Sequence, residues 1–216
     1  MKQCLILTGG RVDYPTASGF LKENQYDLII AVDGGLAAAR QLGIKPDYCV
    51  GDFDSVAEDV YVEFKKQEGI AWETHPPEKD QTDTELALSL AIREKAERIH
   101  LFGATGTRMD HTLAAIGLLM MPMEQGIECF SIDANNRITM INKGITLKKS
   151  ELFGKYVSLI PYTEKVTGVT LTGFKYPLTD YTFVQGNGLG VSNEVIEEEA
   201  QIQLKSGKLL LIESQD

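Results

Sequence analysis

The sequence contains only three cysteines and one tryptophan among its 216 residues, and it has no long apolar run. Cys4, Cys49 and Cys129 are far apart and stand among apolar neighbours, which argues against a disulfide framework or a zinc site. No stretch approaches the length of a membrane span, and the first apolar run is too short for a signal peptide. We therefore expect a cytoplasmic protein with buried thiols and no membrane segment.

Basic side chains are in the minority. Lys and Arg number 21 against 31 Asp and Glu, which gives a formal net charge of −10. Because the basic residues form no stripe along the chain, we expect no binding to the backbone of nucleic acid or to anionic lipid. An acidic protein can still bind a phosphate-rich anion when divalent cations bridge its carboxylates to the phosphates.

Hydrophobic residues make up 43% of the chain, enough for one large domain or two modest ones. Up to about residue 133, short apolar runs alternate with amphipathic stretches, a pattern typical of parallel strands joined by helices. This predicts an α/β domain over residues 1–134, with a Rossmann-like, mostly parallel sheet and flanking helices. The predicted strands are 3–7, 28–32, 48–51, 71–74, 99–102 and 127–132. The predicted helices are 36–42, 57–67, 82–97 and 110–121, the last ended by Pro122.

The pattern changes after about residue 135. Segments such as 156–160 and 165–172 alternate β-branched and polar residues without a helical period. This predicts a smaller all-β sandwich domain over residues 135–216. The segments 201–204 and 209–212 predict a closing hairpin with Gly207 at its turn.

Polar residues follow four of the predicted parallel strands, at the end of the sheet where ligands bind in α/β folds. Because they come at successive strand ends, we expect them to share one site. The segments are Asp33-Gly34-Gly35, Gly51-Asp52-Phe53-Asp54-Ser55, Asp80-Gln81-Thr82-Asp83 and Gly103-Ala104-Thr105-Gly106-Thr107-Arg108-Met109-Asp110-His111.

Four aspartates in these segments are candidate Mg²⁺ ligands. Asp52 and Asp54 lie one residue apart, so on an extended segment both carboxylates would face one side and could share a hard cation. Asp80 and Asp83 stand just before and within the first turn of a helix that opens with a capping box at Thr82. Together they predict one or two bound ions. The alternative is that Asp54 and Asp83 cap helices and that Asp52 closes a turn.

The segment from Gly103 to His111 lacks a known phosphate-loop pattern. Its small residues would nevertheless let backbone N–H groups approach phosphate oxygens, and Arg108 could donate a forked pair of hydrogen bonds to a leaving group. For Arg108 the alternative is a surface salt bridge, and for His111 it is a packed imidazole.

In this order and spacing, the four segments resemble the motifs of the thiamine pyrophosphokinase family. Those motifs are Asp-Gly-Gly, Gly-Asp-Phe-Asp-Ser, Asp-x-Thr-Asp and Gly-x-x-Gly-x-Arg-x-Asp-His, matched between residues 33 and 111. The resemblance implies transfer of a pyrophosphoryl group from ATP to the hydroxyl of thiamine, with Mg²⁺ as cofactor and AMP as the second product. It also implies a homodimer whose active site lies where one subunit's α/β domain meets the β-sandwich of the other.

The resemblance carries roles onto individual residues. The expected catalytic residues are Asp52, Asp54, Asp80, Asp83, Arg108 and Asp110, and the first four are also the expected metal ligands. The expected nucleotide-binding residues are Asp33, Gly34, Gly35, Thr82, Gly103, Thr105, Gly106, Arg108 and His111. The expected thiamine-side residues are Gln81, Asp110, Ser192 and Asn193.

One feature departs from the family pattern. Some relatives place a tryptophan from the β domain against thiamine, whereas Trp72 lies in the α/β domain here. Tyr176, Tyr181 and Phe183 could offer an aromatic face to a cationic ring, although we expect core packing for at least two of them.

Two other functions use the same residues. A metal-dependent nucleotide hydrolase would use the same carboxylates to activate water rather than to bind an alcohol. A nucleotide-binding regulatory module would bind ATP without turnover. The sequence leaves open the number of Mg²⁺ ions and which carboxylate, if any, accepts the proton.

Overall fold

The computed structural model describes residues 1–75, 80–106 and 108–216. The chain divides into two compact units, Met1–Ala134 and Asn135–Asp216. Within the described residues, no helix is both long and apolar enough to cross a bilayer.

The first unit is a parallel sheet with helical connections. Its elements are β1 (Gln3–Leu7), α1 (Tyr14–Glu23), β2 (Leu28–Val32), α2 (Gly35–Leu42), β3 (Tyr48–Gly51), α3 (Glu58–Lys65), β4 (Ala71–Thr74), α4 (Asp83–Arg93), β5 (Arg98–Phe102), α5 (Met109–Leu118), α6 (Met120–Glu124) and β6 (Glu128–Ile132). The strands run parallel in the order β4-β3-β2-β1-β5-β6. The predicted α/β fold is confirmed.

The strand order makes β1 the point where the chain changes direction across the sheet. From β1 the chain builds outward through β2, β3 and β4, and it then returns to place β5 on the other side of β1. The connections after β1 and β5 therefore lead to opposite sides, which leaves a crevice between them. In β1 the side chains of Leu5, Ile6 and Leu7 are all buried, as expected for a strand covered on both faces.

Two helices of the first unit were not predicted from the sequence. The helix α1 begins after Asp13, whose carboxylate accepts a hydrogen bond from the Thr16 N–H, and it buries only Ala17. The helix also contains Pro15 and Gly19, residue types that a sequence pattern associates with turns. The helix α6 contains Pro122 in its first turn, where the missing N–H of proline has no helical partner to lose. The preceding helix α5 ends at Leu118, earlier than the predicted residue 121, and Pro122 lies inside this further short helix.

The second unit is a β-sandwich. Its strands are β7 (Asn136–Ile141), β8 (Ile145–Lys148), β9 (Tyr156–Pro161), β10 (Lys165–Thr172), β11 (Leu178–Val184), β12 (Glu199–Gln203) and β13 (Leu209–Ser214). β13 pairs antiparallel with β7 and β9, and a second antiparallel sheet has the order β11-β10-β12-β8. Side chains from both sheets, including Leu159, Phe183 and Leu211, pack into one core. The predicted sandwich is confirmed.

The predicted closing hairpin was wrong. β12 has β10 on one side and β8 on the other, so β13 pairs elsewhere, with β7 and β9. Gly207 has a φ of +96° in the connection, where a Cβ atom would lie 2.6 Å from the Lys165 carbonyl oxygen. Sequence adjacency favoured a hairpin, but the need to bury both strands assigned them to different sheets.

A buried ion pair joins β7 to β13. Arg137 donates from Nη2 to a carboxylate oxygen of Glu213 at 2.6 Å, and the Glu213 side chain is only 3% exposed. The Phe153 N–H donates to the same carboxylate at 2.9 Å. Because the buried charge has a forked cationic partner and a backbone donor, it is compensated within the protein.

Candidate active site

A cavity of about 750 Å³ opens at the carboxyl end of the parallel sheet, within the first unit. Residues 8–11 after β1 (the β1 loop), residues 103–106 after β5 (the β5 loop), and the first turns of α4 and α5 line it. Residues that the sequence predicted and that line this cavity are Asp33, Gly34, Thr82, Asp83, Gly103, Thr105, Gly106, Arg108, Asp110 and His111.

The remaining predicted residues lie outside the cavity lining. Gly35 is buried beneath it, where a Cβ atom would lie 2.0 Å from the Leu7 carbonyl oxygen. Gln81 is exposed and donates from Nε2 to Glu85 at 3.0 Å. Asp80 is also exposed. Thr107, which belongs to one of the four motifs, lies outside the described residues.

Asp33 connects the β2 end of the site to two other carboxylates. Its Oδ1 accepts the Phe53 N–H at 3.1 Å, and its backbone has a φ of +45°. Burial raises the pKa of Asp33 to about 7; the Phe53 hydrogen bond opposes the rise, while the carboxylates of Asp83 and Asp52 add to it. The carboxyl groups of Asp83 and Asp52 therefore both act on that of Asp33.

The segment that carries Asp52 and Asp54 is not extended. Gly51 has a φ of +142° and Phe53 a φ of +63°, so the chain coils after β3. Asp52 is half-buried and accepts the Asp54 N–H at 3.2 Å, whereas Asp54 is exposed. The prediction of two parallel carboxylates on an extended segment was wrong, because the buried Phe53 ring turns inward against Trp72 and Tyr61, at 5.0 and 5.8 Å between centroids.

Neither Asp54 nor Asp83 caps a helix. Ala57 occupies the N-cap position of α3, and Thr82 occupies that of α4. The Thr82 hydroxyl accepts the Glu85 N–H at 3.2 Å, so the capping residue predicted from the sequence is confirmed. Asp83 stands in the first turn of α4, where the helix dipole favours a negative charge.

The donor set suits an ion that arrives with a phosphate ligand. Across residues 1–75, 80–106 and 108–216, no three or more His, Cys, Asp or Glu side chains are arranged to hold a metal by themselves. Asp33, Asp52 and Asp83 nevertheless offer only oxygen donors, and the carboxylates of Asp83 and Asp52 both act on Asp33. Mg²⁺ prefers such donors and commonly completes its shell with water and substrate phosphates. The residues present therefore fit a nucleotide-bound Mg²⁺.

The β1 and β5 loops approach each other backbone to backbone. A Cβ atom on Gly10 would lie 2.1 Å from the Gly103 carbonyl oxygen, and one on Gly103 would lie 2.5 Å from that of Thr8. The Arg11 N–H donates to the Thr105 carbonyl at 3.2 Å, and the Thr105 hydroxyl donates to Asp133 at 2.9 Å. Sequence reasoning missed the β1 loop, although it follows a correctly predicted strand and meets the same strand-end rule as the four motifs.

Arg108 forms an ion pair inside the candidate site. Its Nη2 donates to Asp110 Oδ2 at 2.6 Å, and both side chains are more than half exposed. The Asp110 Oδ1 also accepts the His111 N–H at 2.9 Å. These two interactions, the arginine bond first, lower the pKa of Asp110 to about 2. Arg108 thus forms the salt bridge that was its alternative prediction, and both partners line the cavity.

In the second unit, Ser192 and Asn193 have different environments. Ser192 is exposed with a φ of +59°, and its N–H donates to the Ser158 hydroxyl at 3.0 Å. Asn193 is buried: its Oδ1 accepts the Tyr176 N–H at 3.0 Å and its Nδ2 donates to the Tyr176 carbonyl at 2.8 Å. Asn193 therefore braces the backbone at Tyr176, and Ser192 is the one that faces solvent.

The three candidate aromatic residues also differ in their exposure. Phe183 is fully buried, and Tyr181 packs edge-on against it at 5.1 Å between centroids. The Tyr176 side chain is 59% exposed. The prediction that at least two of the three pack in the core is confirmed. Tyr176 is the member whose ring is mostly exposed, with Lys175 Nζ 5.6 Å from its centroid.

Comparison with known proteins covers both units. The family model described as "Thiamin pyrophosphokinase, catalytic domain" matches residues 21–131, and the model described as "Thiamin pyrophosphokinase, vitamin B1 binding domain" matches residues 144–209. The thiamine pyrophosphokinase of Bacillus subtilis (strain 168) is 36% identical over 217 residues, covering 100% of each chain.

Solved structures agree over the whole chain. The crystal structure of thiamine pyrophosphokinase from Bacillus subtilis matches with a TM-score of 0.90 and 33% identity, covering 100% of each chain. The thiamin pyrophosphokinase structure from Geobacillus thermodenitrificans matches with a TM-score of 0.86 and 32% identity, covering 99% of this chain and 98% of that one. On the full-length identity and the two family matches, the chain belongs to the thiamin pyrophosphokinase family.

Proposed function

We propose that the protein is a thiamine diphosphokinase. It transfers the pyrophosphoryl group of ATP to the hydroxyl of thiamine, which gives thiamine diphosphate and AMP. The observation that carries the proposal is the 36% identity to a thiamine pyrophosphokinase over the full length of both chains. The oxygen-rich cavity at the carboxyl end of the sheet supports it, because this is where an α/β fold binds a nucleotide.

The proposed Mg²⁺ ligands are Asp52, Asp54, Asp80 and Asp83, acting together with the phosphate oxygens of ATP. Support comes from the placement of Asp83 and Asp52 beside Asp33, where the pKa of Asp33 is raised in part by these two carboxylates. When bound, Mg²⁺ neutralises the phosphates and lowers the charge repulsion that an attacking hydroxyl meets.

The chain's own residues position the substrates. We assign the backbone of Gly34 and of the β5 loop to the phosphates, since glycine at these positions allows close approach. Asp33 holds the Phe53 N–H and so fixes the loop that carries two of the proposed ligands. Arg108, Asp110 and His111 form one hydrogen-bonded group at the head of α5, which we assign to the thiamine hydroxyl and the reacting phosphates.

The second unit is the proposed thiamine-binding and dimerisation domain. Ser192 is the proposed polar contact and Tyr176 the proposed aromatic surface, since both are exposed while Asn193 holds the Tyr176 backbone. The proposal includes a cytoplasmic homodimer in which each active site takes residues from both subunits.

³¹P nuclear magnetic resonance of the purified protein with ATP and Mg²⁺, with and without thiamine, tests the reaction. We expect AMP and thiamine diphosphate, formed only when thiamine is present. ADP or free phosphate in the absence of thiamine would reject the proposal and would favour a nucleotide hydrolase.

A further inference from the structure

Arg11 ends the glycine-containing β1 loop and lines the same cavity as the aspartates. The loop follows β1, the strand at which the chain changes direction across the sheet. In open parallel sheets this position is where the crevice for a ligand forms. Arg11 therefore stands at the ligand end of the fold, in a loop that belongs to none of the four predicted motifs.

The backbone at Arg11 is fixed in place. Its N–H donates to the Thr105 carbonyl at 3.2 Å, and the neighbouring Gly10 touches Gly103 so closely that no Cβ atom fits between them. The Thr105 hydroxyl is in turn held by Asp133 at 2.9 Å. The β1 and β5 loops thus form one rigid support for the Arg11 side chain.

The Arg11 guanidinium stands outside the ion pairs of the site. Arg108, the other arginine of the cavity lining, is bound to Asp110 in a forked ion pair. In the part of the chain that the structure describes, the exposed Arg11 guanidinium has no hydrogen-bond or ion-pair partner. The hydroxyl and N–H of Thr16 occupy the Asp13 carboxylate and are the larger causes of its lowered pKa, to which the nearby charge of Arg11 also contributes.

We propose that Arg11 is a further nucleotide-binding residue, whose guanidinium binds the phosphate chain of ATP. The inference rests on the proposed function for the identity of the nucleotide. A planar guanidinium can donate two parallel hydrogen bonds to phosphate oxygens, and its attraction to them is strongest where no carboxylate partner offsets its charge. Among the described residues Arg11 has no such partner, whereas Arg108 is paired with Asp110.

The test is calorimetric binding of ADP with Mg²⁺ to the wild type and to the Arg11→Gln and Arg11→Lys variants. Loss of a charge-assisted pair of hydrogen bonds should weaken ADP binding by about tenfold to a hundredfold in Arg11→Gln, with partial recovery in Arg11→Lys. The thiamine KM and the melting temperature should not change. Arg40→Gln is the matched control, because Arg40 is paired with Asp59 on the helices outside the cavity.

Wild-type affinity for ADP in Arg11→Gln would overturn the inference. If Arg11→Gln does not fold, Arg11→Lys decides: it must raise the KM for ATP but not for thiamine, and any other result rejects the role. The wild-type reaction separates the two proposals. A wild type that makes no thiamine diphosphate rejects the proposed function, while ADP binding by the variants still decides the role of Arg11.

Discussion

At the scale of single residues, Asp33 determines how the carboxylates of the site meet. Its side chain occupies the space beside Gly51, where a Cβ atom would lie 1.9 Å from Asp33 Oδ1. Only glycine at position 51 lets the Asp33 carboxylate reach the Phe53 N–H. The Asp-Gly-Gly and Gly-Asp-Phe-Asp-Ser motifs therefore contact each other through the Asp33 side chain.

Replacement of Asp54 by asparagine tests the metal assignment. The change removes one charge at nearly constant size, and we expect kcat to fall by at least about a hundredfold if the carboxylate binds Mg²⁺. Steady-state kinetics at several Mg²⁺ concentrations measures the effect. Asp59→Asn on α3 is the control, since that carboxylate pairs with Arg40. Near-normal turnover with an unchanged Mg²⁺ requirement would contradict the assignment.

Ser192 and Asn193 are neighbours for which we expect different effects. Ser192→Ala should raise the KM for thiamine more than the KM for ATP, because Ser192 is exposed and is proposed to contact thiamine alone. Asn193→Ala should instead lower the free energy of unfolding by about 1–3 kcal/mol, since it leaves the Tyr176 N–H and carbonyl without their partner. Kinetics and urea unfolding of both variants provide the measurements. Equal effects of Ser192→Ala on the two substrates would reject its role.

At the scale of elements, the contact between the β1 and β5 loops depends on glycine. In Gly10→Ala the new methyl group would overlap the Gly103 carbonyl, so we expect a loss of about 1–3 kcal/mol in stability together with a higher KM for ATP. Gly19→Ala is the matched control. Gly19 lies within α1 with open space around it, and there alanine should stabilise by about 0.5–1 kcal/mol. Thermal unfolding and the ATP KM report both effects, and a stable, fully active Gly10→Ala would contradict the close approach.

The ion pair between β7 and β13 gives a second prediction for the elements. Arg137→Ala leaves the buried Glu213 carboxylate with a single backbone donor, and we expect a loss of about 3–5 kcal/mol in unfolding free energy. The control is Arg98→Ala, because Arg98 pairs with a Glu128 side chain that is 54% exposed. That pair should contribute less than about 1 kcal/mol. Equal unfolding free energies of the two variants in denaturant titrations would show that the contribution of the Arg137–Glu213 pair does not depend on the burial of Glu213.

At the scale of the whole molecule, the incomplete donor set predicts how metal and nucleotide act on stability. No described group of three or more side chains holds a cation alone, so Mg²⁺ without nucleotide should leave the melting temperature unchanged. ADP with Mg²⁺ at about a hundred times its Kd should stabilise by about 2.7 kcal/mol through binding to the folded state. Differential scanning calorimetry with each ligand, and with chelator, measures this. Strong stabilisation by Mg²⁺ alone would contradict a site that the nucleotide completes.

Local patterns in the sequence determined the class of the fold. The continuous apolar run of β1 and the β-branched alternation of β10 predicted these strands within the bounds observed. A strand buried on both faces is apolar throughout, whereas a strand buried on one face alternates apolar and polar residues. The start of α4 at Thr82 was predicted from its capping residue. The polar segments at strand ends predicted the position of the cavity, since parallel strands bring those ends to one edge.

Only the tertiary structure decided how those parts meet. α1 contains Pro15 and Gly19, residue types that a sequence pattern associates with turns, and the partners of β12 and β13 depend on strands distant in sequence. The coiled path through Phe53 follows from the packing of its ring against Trp72. Side-chain contacts likewise decide that, within the described residues, Arg108 forms an ion pair and the Arg11 guanidinium does not. Periodicity and capping act over a few residues and can be read from the sequence. Pairing, packing and charge compensation depend on neighbours that the folded chain brings together.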